Sequence, residues 1–409
     1  MRPLRMAPAV PFFRPSIADA EVQAVVDVLQ SGWLTSGPRV KQFEADFAVF
    51  VGAKHAIALN SATAALHLAV EALGLARGQA VLVPTMTFAS TAEVVRYMDA
   101  VPVLVDCHAD SFNLDFDDAE RKCTAARDGR LPGLPPLEVV GMIPVHVGGV
   151  MVDLAATRRF AERHQLWVVD DAAHALPAAW RRDAAAPWIR CGEGTAQVSC
   201  FSFYANKTIT TGEGGMAVTD DSQLAERMRI MALHGLSRDA WERYRTGSAW
   251  DYRIVAPGFK YNLTDIAAAL GIEQLKRADE MRTARESLAL EYRDRLADVD
   301  AIELPPMVDH RQHAWHLFPV SLRLEQLTIG RDAFIEQLHA SGIGTSVHWR
   351  PLHLHPYYQD QFKWTAESCP TATREWQRRV SLPLFPGMSA DEQHAVVAAV
   401  QSACARHQR

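Results

Sequence analysis

The sequence predicts an α/β fold, in which a mostly parallel central sheet forms a large domain and a smaller α+β domain follows it. Between residues 56 and 219, short apolar runs alternate with helical patterns. This alternation is typical of parallel strands that are buried on both faces and connected by helices. After about residue 260 the pattern changes to long amphipathic helices with one strong strand. We therefore expect a large domain over residues 1–260 and a small domain over residues 261–409.

The composition is that of an ordinary globular protein, with 409 residues of which 48% are hydrophobic and 22% charged. A net charge of −6 and a pI of about 6.2 favour neither nucleic acid nor an anionic membrane as a partner. The six cysteines form no C-x-x-C pair, which indicates reduced thiols in a cytoplasmic protein. The longest apolar stretch, residues 139–152, contains Pro144 and His146 and is too short to span a bilayer.

The elements of the large domain can be placed along the chain. A helix is predicted over residues 17–31, with Ser16 as its N-cap and Gly32 as its end. The polar segment 121–136 contains glycine and several prolines and is predicted to be a surface excursion. Seven apolar runs are predicted to be strands: 56–59, 80–83, 101–105, 139–145, 167–169, 198–203 and 216–219.

The small domain is predicted to contain helices over residues 263–296, in one or more pieces, and over residues 331–341. Its strongest strand is predicted over residues 317–324. In an open parallel sheet, ligands bind at the carboxyl ends of the strands. Residues that directly follow the strands of the large domain are therefore the candidates for a functional site.

Lys207 is the most informative of these candidates. It follows the apolar run 198–203 and precedes a cluster of glycines at 212–215, and only seven of the 42 basic residues are lysines. A partly desolvated ammonium group loses part of its proton affinity, which is what a lysine that forms a Schiff base requires. The alternative is an ordinary lysine of a surface loop.

Two acids and a histidine follow another predicted strand. Asp170 and Asp171 come directly after the run 167–169, and His174 lies three residues further on. A carboxylate at the end of a buried strand is best explained if it faces a cationic group, such as a pyridinium nitrogen. The alternatives are a helix N-cap for the acids and a satisfied core histidine for His174.

A phosphate site and an aromatic residue follow two further strands. Residues 60–67 follow the run 56–59 and open a helix, where free N–H groups and hydroxyl groups bind anions. The sequence has no G-x-G-x-x-G and no Walker A motif, which favours a cradle for a single phosphate. Phe88, after the run 80–83, could stack on a flat ring or could equally be a core aromatic.

These four strand ends together meet the requirements of a pyridoxal 5'-phosphate site. They offer a lysine for a Schiff base, an acid for the ring nitrogen, a phosphate cradle and a stacking aromatic. We therefore predict that the cofactor is pyridoxal 5'-phosphate.

With these features the chain resembles the DegT-type nucleotide-sugar aminotransferases, which have PLP fold type I. The resemblance runs from about residue 30 to residue 390. The matching stretches are 31–38, 60–67, 170–174, 202–207 with 212–215, 260–265, 313–318 and 381–386.

The resemblance implies three catalytic roles. Lys207 would hold the cofactor as a Schiff base and would later shuttle protons. Asp171, the second acid of the pair, would bind the pyridinium nitrogen. His174 would contact the phenolic oxygen of the cofactor.

The resemblance also implies the remaining cofactor contacts. Thr63, Ala64 and Ser202 would bind the phosphate. Asn262 would reach the phosphate across the interface of a homodimer, and Phe88 would lie over the ring.

The implied reaction moves an amino group from glutamate, which becomes 2-oxoglutarate, to a 4-keto sugar carried on UDP or dTDP. Arg238, Lys260 and Arg350 are candidates for binding the diphosphate. Two stretches depart from the pattern of the family: residues 204–206, close to the lysine, and residues 180–193, which lack the usual hairpin pattern.

Alternatives remain open at the level of sequence. A sugar dehydratase of the same fold would have a histidine in place of Lys207. An aminotransferase for 3-keto sugars and a non-catalytic regulator that binds the cofactor are the others. His348, His353 and His355 could suggest a metal, but no carboxylate or cysteine completes a ligand set nearby, which favours a loop with packing histidines and no metal.

Overall fold

The computed structural model describes residues 9–236 and 253–409. Within these ranges, no helix combines the length and the apolar character that crossing a membrane requires. The elements up to residue 236 are α1 (Asp19–Ser31), α2 (Pro38–Val51), β1 (His55–Leu59), α3 (Ala62–Ala72), β2 (Ala80–Pro84), α4 (Ser90–Tyr97), β3 (Val101–Val105), α5 (Phe116–Arg127), β4 (Val139–Met142), α6 (Leu154–His164), β5 (Trp167–Asp171), β6 (Ala179–Trp180), β7 (Ile189–Arg190), β8 (Val198–Ser202), β9 (Gly215–Thr219) and α7 (Ser222–Ala232).

The elements from residue 253 onward include two longer helices that follow each other directly and a small set of strands. They are α8 (Asp265–Lys276), α9 (Ala278–Arg295), β10 (Ile302–Glu303), β11 (Arg311–Gln312), β12 (Phe318–Leu322), α10 (Arg331–Ala340), α11 (Pro356–Phe362), α12 (Pro370–Trp376), β13 (Arg379–Leu382) and α13 (Ala390–Arg406).

The central sheet has seven strands in the order β1-β9-β8-β5-β4-β2-β3. Strands β8, β5, β4, β2 and β3 pair in parallel, whereas β9 runs antiparallel to both of its neighbours, β1 and β8. Each of the seven apolar runs forms a strand, because residues that are apolar on both faces are buried between layers of helices. The predicted fold, an α/β protein with a mostly parallel sheet, is confirmed.

The strand pairing brings the candidate residues to one edge of the sheet. Asp171, the last residue of β5, lies opposite Cys200 of β8, two residues before Ser202. On the other side of β8, Gly215 of β9 pairs with Ser202 and also with Leu59, the last residue of β1. The loops that follow β1, β5 and β8 therefore begin side by side.

Two local predictions are wrong. Helix α1 begins at Asp19 and not at residue 17. Ala18 is the N-cap, and its N–H donates a hydrogen bond to the Glu21 side chain. Ser16 is not the N-cap; its hydroxyl instead accepts a hydrogen bond from Arg277, at 3.0 Å.

The predicted surface excursion at 121–136 is wrong over its first half, which belongs to helix α5. Asp115 caps this helix, and Ala119, Cys123 and Ala126 are buried along one side of it. Those residues have helical spacing, but the polar residues between them hide the pattern in the sequence.

A hairpin forms at residues 179–190 although the sequence of 180–193 departs from the usual hairpin pattern of the family. Strands β6 and β7 pair antiparallel, with Ala179 opposite Arg190 and Trp180 opposite Ile189. Two residues in each strand are too few to give an alternating pattern that the sequence alone would reveal.

The C-terminal part contains a three-stranded antiparallel sheet in the order β10-β12-β13. Its apolar cluster includes Tyr292 of α9, Phe334 of α10 and Val396 of α13. The division of the chain at residue 260 stays a prediction, and apolar contacts cross that position. Ala268 and Ile272 of α8 lie in the same cluster as residues of α2 and β8.

A buried carboxylate connects α8 to the start of α2. Asp265 is the first residue of α8, and its Oδ1 accepts hydrogen bonds from the N–H groups of Gly37 (2.7 Å) and Val40 (3.0 Å). Its Oδ2 accepts a third from the N–H of Arg39, at 3.2 Å. These N–H groups belong to the first turn of α2, where no partner within the helix exists for them.

We expect Asp265→Ala to lower the free energy of unfolding by about 2–4 kcal/mol, because it leaves buried N–H groups without an acceptor. A denaturant titration measures this change. Asp279→Ala is a suitable control, since Asp279 is an exposed acid that pairs with Arg190, and its loss should change stability little. Equal effects of the two substitutions would contradict the capping role of Asp265.

Candidate active site

Lys207 and Asp171 lie at the ends of neighbouring strands. Lys207 follows β8 by five residues and is partly buried, and its N–H donates to the carbonyl of Tyr204 at 2.9 Å. Burial lowers the pKa of the Lys207 amine from 10.5 to about 8; the Asp171 carboxylate opposes this shift, and the Arg285 guanidinium adds to it. An amine with this pKa is partly neutral near physiological pH, as a nucleophile and proton carrier must be.

Asp171 is buried and held by two hydrogen bonds. Its Oδ2 accepts from the Thr91 hydroxyl at 2.7 Å, and its Oδ1 accepts from the N–H of Ala173 at 3.1 Å. Burial raises the pKa of this carboxyl, while both hydrogen bonds and the charge of Lys207 lower it. No helix follows Asp171 before β6, so the alternative of a helix N-cap is wrong.

Asp170 faces the opposite side of β5. Its Oδ2 accepts hydrogen bonds from Thr195 (2.7 Å) and Ser199 (3.2 Å), and His146 Nε2 lies 3.6 Å away. Successive side chains of a strand point to opposite faces, so only Asp171 shares a face with Lys207. Within the described ranges, His146, Asp170 and Cys191 are the one group of three potential ligands that could hold a metal ion.

His174 lies in a set of packed rings. Its Nδ1 accepts a hydrogen bond from the N–H of Gly148 at 3.2 Å. Its ring lies 5.2 Å from the Trp349 ring and 4.1 Å from the His316 ring, measured between centroids. Burial lowers the pKa of His174 well below its usual value, with smaller contributions from Lys207 and His348. The imidazole is therefore neutral, and its proton is on Nε2, which is free to donate to a ligand.

His316 is a site residue that strand-end reasoning does not find. Its Nε2 lies 3.4 Å from Nζ of Lys207. It precedes β12 instead of following a strand of the central sheet, so the rule that located Lys207 does not reach it. The only signal in the sequence is its place in the stretch 313–318, which carries part of the family resemblance.

The start of α3 forms an anion cradle beside β8. Ser61 caps the helix, with its Oγ accepting from the N–H of Ala64 at 3.1 Å, and Thr63 is the second residue of the helix. A Cβ on Gly215 would lie only 2.3 Å from the Ser61 carbonyl carbon, so glycine is needed for β9 to pass this close. Ser202 ends β8, and its Oγ accepts from the N–H of Tyr204 at 3.3 Å, which leaves the hydroxyl hydrogen available.

Asn262 lies beside this cradle within its own chain. Its backbone forms a bridge with Leu59, immediately before the phosphate loop. Its side chain donates to Ser36 Oγ at 2.6 Å and accepts from Lys260 Nζ at 2.5 Å. A role for Asn262 across a dimer interface stays a prediction.

Phe88 lies between β2 and α4 and is 62% exposed. The alternative of a core aromatic is therefore wrong. Its carbonyl accepts a hydrogen bond from the N–H of Thr91 at 3.3 Å, and the hydroxyl of Thr91 donates to Asp171. The backbone of Phe88 is thus connected through Thr91 to Asp171, and its exposed ring is open to a ligand.

The three candidates for a diphosphate site have different positions. Arg238 lies outside the described residues. Lys260 is exposed and bonded to Asn262. Arg350 donates to the carbonyl of Leu354 at 2.8 Å, so part of its guanidinium is already used within the chain.

The histidines of the segment 346–358 each contact a protein group. His348 Nδ1 lies 2.9 Å from Ser381 Oγ, and His355 Nε2 lies 3.2 Å from the carbonyl of Arg350. His353 is held between two threonine hydroxyls, at 2.7 and 2.8 Å. These contacts agree with packing histidines in a loop.

Residues 15–401 match the model of the DegT/DnrJ/EryC1/StrS aminotransferase family. The chain belongs to this family. It is 40% identical over 393 residues to the spore coat polysaccharide biosynthesis protein SpsC of Bacillus subtilis strain 168, with 96% of each chain covered. It is also 40% identical over 392 residues to the uncharacterized protein MJ1066 of Methanocaldococcus jannaschii, with 96% of this chain and 97% of the relative covered.

Solved structures agree with the family. The putative sugar aminotransferase Spr1654 from Streptococcus pneumoniae superposes with a TM-score of 0.86 at 28% identity in both its PMP form and its PLP form. Each comparison covers 97% of this chain, and 98% and 99% of the two Spr1654 chains. The DegT-family chain described here is therefore a sugar aminotransferase that depends on pyridoxal 5'-phosphate.

The residues at the strand ends fit this cofactor. The neutral fraction of Lys207 suits its aldehyde, Asp171 suits its ring nitrogen, and the N-terminus of α3 suits the negative charge of its phosphate. When bound, the cofactor supplies a sink for the electron pair that remains when a C–H bond beside the amine is broken.

Capture of the cofactor should follow the protonation of Lys207. In protein freed of cofactor, we expect the rate of capture to rise with pH through about 8 and then level off, because only the neutral amine attacks an aldehyde. Stopped-flow absorbance measures this rate.

Two substitutions provide matched controls for that profile. Asp171→Asn should move its midpoint to lower pH, since the carboxylate raises the pKa of Lys207. Asp170→Asn should leave the midpoint in place, because Asp170 faces the other side of β5. A profile that is flat from pH 6 to 10 would contradict the assignment of Lys207.

Proposed function

We propose that this enzyme transfers an amino group from glutamate to a 4-keto sugar carried on UDP or dTDP, and that it works as a homodimer in the cytoplasm. The observation that carries the proposal is Lys207, a partly neutral amine between Asp171 and His316. A sugar aminotransferase needs such a group to transfer protons in each half of its reaction.

Lys207 would move the protons in both halves. As a neutral amine it would remove the proton from Cα of glutamate, and as an ammonium group it would return a proton to the sugar carbon that receives nitrogen. A pKa of about 8 suits both directions, because neither form is then rare at neutral pH.

The other strand-end residues would hold the cofactor. Asp171 would bind the ring nitrogen, and its buried carboxylate would keep that nitrogen protonated. His174 would donate from Nε2 to the phenolic oxygen. Thr63, Ala64 and Ser202 would bind the phosphate, and the N-terminus of α3 would add its dipole to that site.

The choice of a 4-keto sugar rests on the sequence. The stretches 84–88, 256–262 and 313–318 resemble those of the UDP-4-amino-4-deoxy-L-arabinose–oxoglutarate aminotransferase, which favours a 4-keto sugar. Residues 204–206 differ from that enzyme next to the lysine. Tyr204 is 46% exposed there and could select the sugar.

A homodimer is supported by apolar surface next to Asn262. Trp33 and Leu34 are 46% and 45% exposed, and they stand just before Ser36, whose hydroxyl is bonded to Asn262. Large exposed apolar groups at one place favour cover by a second chain. In that arrangement Asn262 would reach the cofactor phosphate of the partner.

A cytoplasmic location is supported by the six cysteines, which are all buried and unpaired.

The alternatives have less support. A dehydratase of this fold would have a histidine where Lys207 stands. A non-catalytic regulator would not need an amine whose pKa is lowered to about 8. A 3-keto sugar as the amino acceptor differs only in regiochemistry and is decided by the experiment that follows.

A panel of acceptors tests the proposal. With glutamate as donor, UDP-4-keto-pentose and UDP- and dTDP-4-keto-6-deoxyhexoses are compared by following the release of 2-oxoglutarate. At least one should react well, and the free keto sugars should react poorly, because binding of the distant nucleotide positions the ketone. Reaction with 3-keto sugars alone would contradict the regiochemistry. Reaction with small keto acids alone would contradict a sugar acceptor.

A further inference from the structure

Arg285 is a buried guanidinium with an unused edge. It lies in α9 and is only 2% exposed. Its NH1 donates to the carbonyls of Leu384 (2.8 Å) and Trp315 (3.3 Å). Its Nε is buried and has no hydrogen-bond partner. Within residues 9–236 and 253–409, no carboxylate lies within ion-pair distance of it.

Other arginines of the neighbouring helical turns do have such a partner. Arg282, one turn earlier in α9, pairs with Glu286 at 3.0 Å. Arg277, between α8 and α9, pairs with Glu21 at 2.8 Å. A buried charge without an opposite charge is costly, so Arg285 is in the state expected of a group whose anion arrives with a ligand. Burial accordingly lowers the pKa of Arg285 to about 10.

The free edge has the geometry of a carboxylate receptor. Because NH1 is fixed by two carbonyls, the guanidinium is held in place, and its Nε has no acceptor within the protein. The Nε–H of an arginine, together with the N–H group beside it, matches the two oxygens of a carboxylate.

Arg285 is also near enough to the reacting amine for its charge to lower the pKa of Lys207. The carbonyl that it binds belongs to Trp315, and the next residue, His316, contacts Lys207 Nζ at 3.4 Å. His316 is only 5% exposed, and its Nδ1 is a second buried nitrogen without a partner. Two buried nitrogens without a hydrogen-bond partner are therefore close to this segment. One is Nδ1 of His316, and the other is Nε of Arg285, which binds the residue before His316.

We propose that Arg285 binds the α-carboxylate of the amino-acid donor and of the 2-oxo acid that leaves. This inference rests on the proposed function, since it assumes an α-amino acid as donor. The α-carboxylate is attached to the carbon that gives its proton to Lys207, so it must lie within a few ångströms of Nζ. The sugar acceptor has no such carboxylate, and Arg285 therefore serves the donor half of the reaction alone.

Two substitutions at Arg285 and one control separate this role from a purely structural one. Arg285→Gln removes the charge, Arg285→Lys keeps the charge but loses the fork, and Arg282→Gln changes a buried arginine of the same helix that already has its acid. Thermal unfolding and the visible absorbance of the bound cofactor show first that each variant is folded and loaded.

Binding is measured on the loaded enzyme with glutarate, a dicarboxylate that cannot react, by isothermal titration calorimetry. We expect Arg285→Gln to weaken glutarate binding about 10- to 100-fold, as loss of a hydrogen-bonded charge pair does. Arg285→Lys should lose part of this, and Arg282→Gln should bind as the wild type does. UDP binding should be the same in all four proteins.

Kinetics use L-glutamate and L-isoglutamine, in which an amide replaces the α-carboxylate. The wild type should prefer glutamate, and Arg285→Gln should lose that preference through a lower kcat/KM for glutamate only. Equal losses with both donors would assign Arg285 a structural role, and a loss of UDP affinity would assign it to the nucleotide; either result overturns the proposal. If Arg285→Gln does not fold, Arg285→Lys must still lose preference, or the proposal is wrong.

Kinetics of the wild type distinguish a failure of the Arg285 subsite from a failure of the proposed function. A wild type that uses both donors equally well contradicts the role of Arg285 but leaves the aminotransferase reaction intact. A wild type that accepts no amino-acid donor contradicts the proposed function itself, and with it the donor subsite.

Discussion

The pairing of β8 with β5 on one side and β9 on the other determines the chemistry of this protein. Because β5 and β8 run in parallel, Asp171 and the loop to Lys207 leave the sheet at the same edge. The antiparallel strand β9 then joins β8 to β1, and the helix start that follows β1 reaches the same place. A shift of one residue in β5 would exchange Asp171 for Asp170 and turn the carboxylate away from the lysine.

Burial at this edge creates reactivity and also limits it. Desolvation lowers the pKa of Lys207, and the negative charge of Asp171 limits that decrease. The Thr91 hydroxyl donates a hydrogen bond to one oxygen of Asp171, which favours the ionised form of this buried carboxyl. The neutral rings of His174 and His316 pack against each other without adding charge next to the amine. Arg285, whose positive charge acts on the Lys207 amine, has no carboxylate partner within the described residues.

The strands and the residues that follow them could be predicted from the sequence, because both signals are local. An apolar run, a polar residue at its end and the rule that parallel strands end at one edge were sufficient to place Lys207, the acid pair 170–171 and the start of α3 together. The choice of Asp171 over Asp170 came from the family resemblance. His316 and Arg285 could not be found in this way. They reach the site from beyond residue 280, and only the packing of α9 against the loop before β12 brings them there. The exposure of Phe88 is likewise a property of packing, which the sequence left undecided.

The central claim is that Lys207 is the amine that holds the cofactor. Borohydride reduction of the loaded enzyme, followed by mass spectrometry of its peptides, tests this claim most directly. The account predicts that the reduced cofactor is found on Lys207, and that Lys207→Ala stays folded but retains no covalent cofactor after reduction. Cofactor attached to any of the other six lysines, at the same yield in Lys207→Ala as in the wild type, would contradict it.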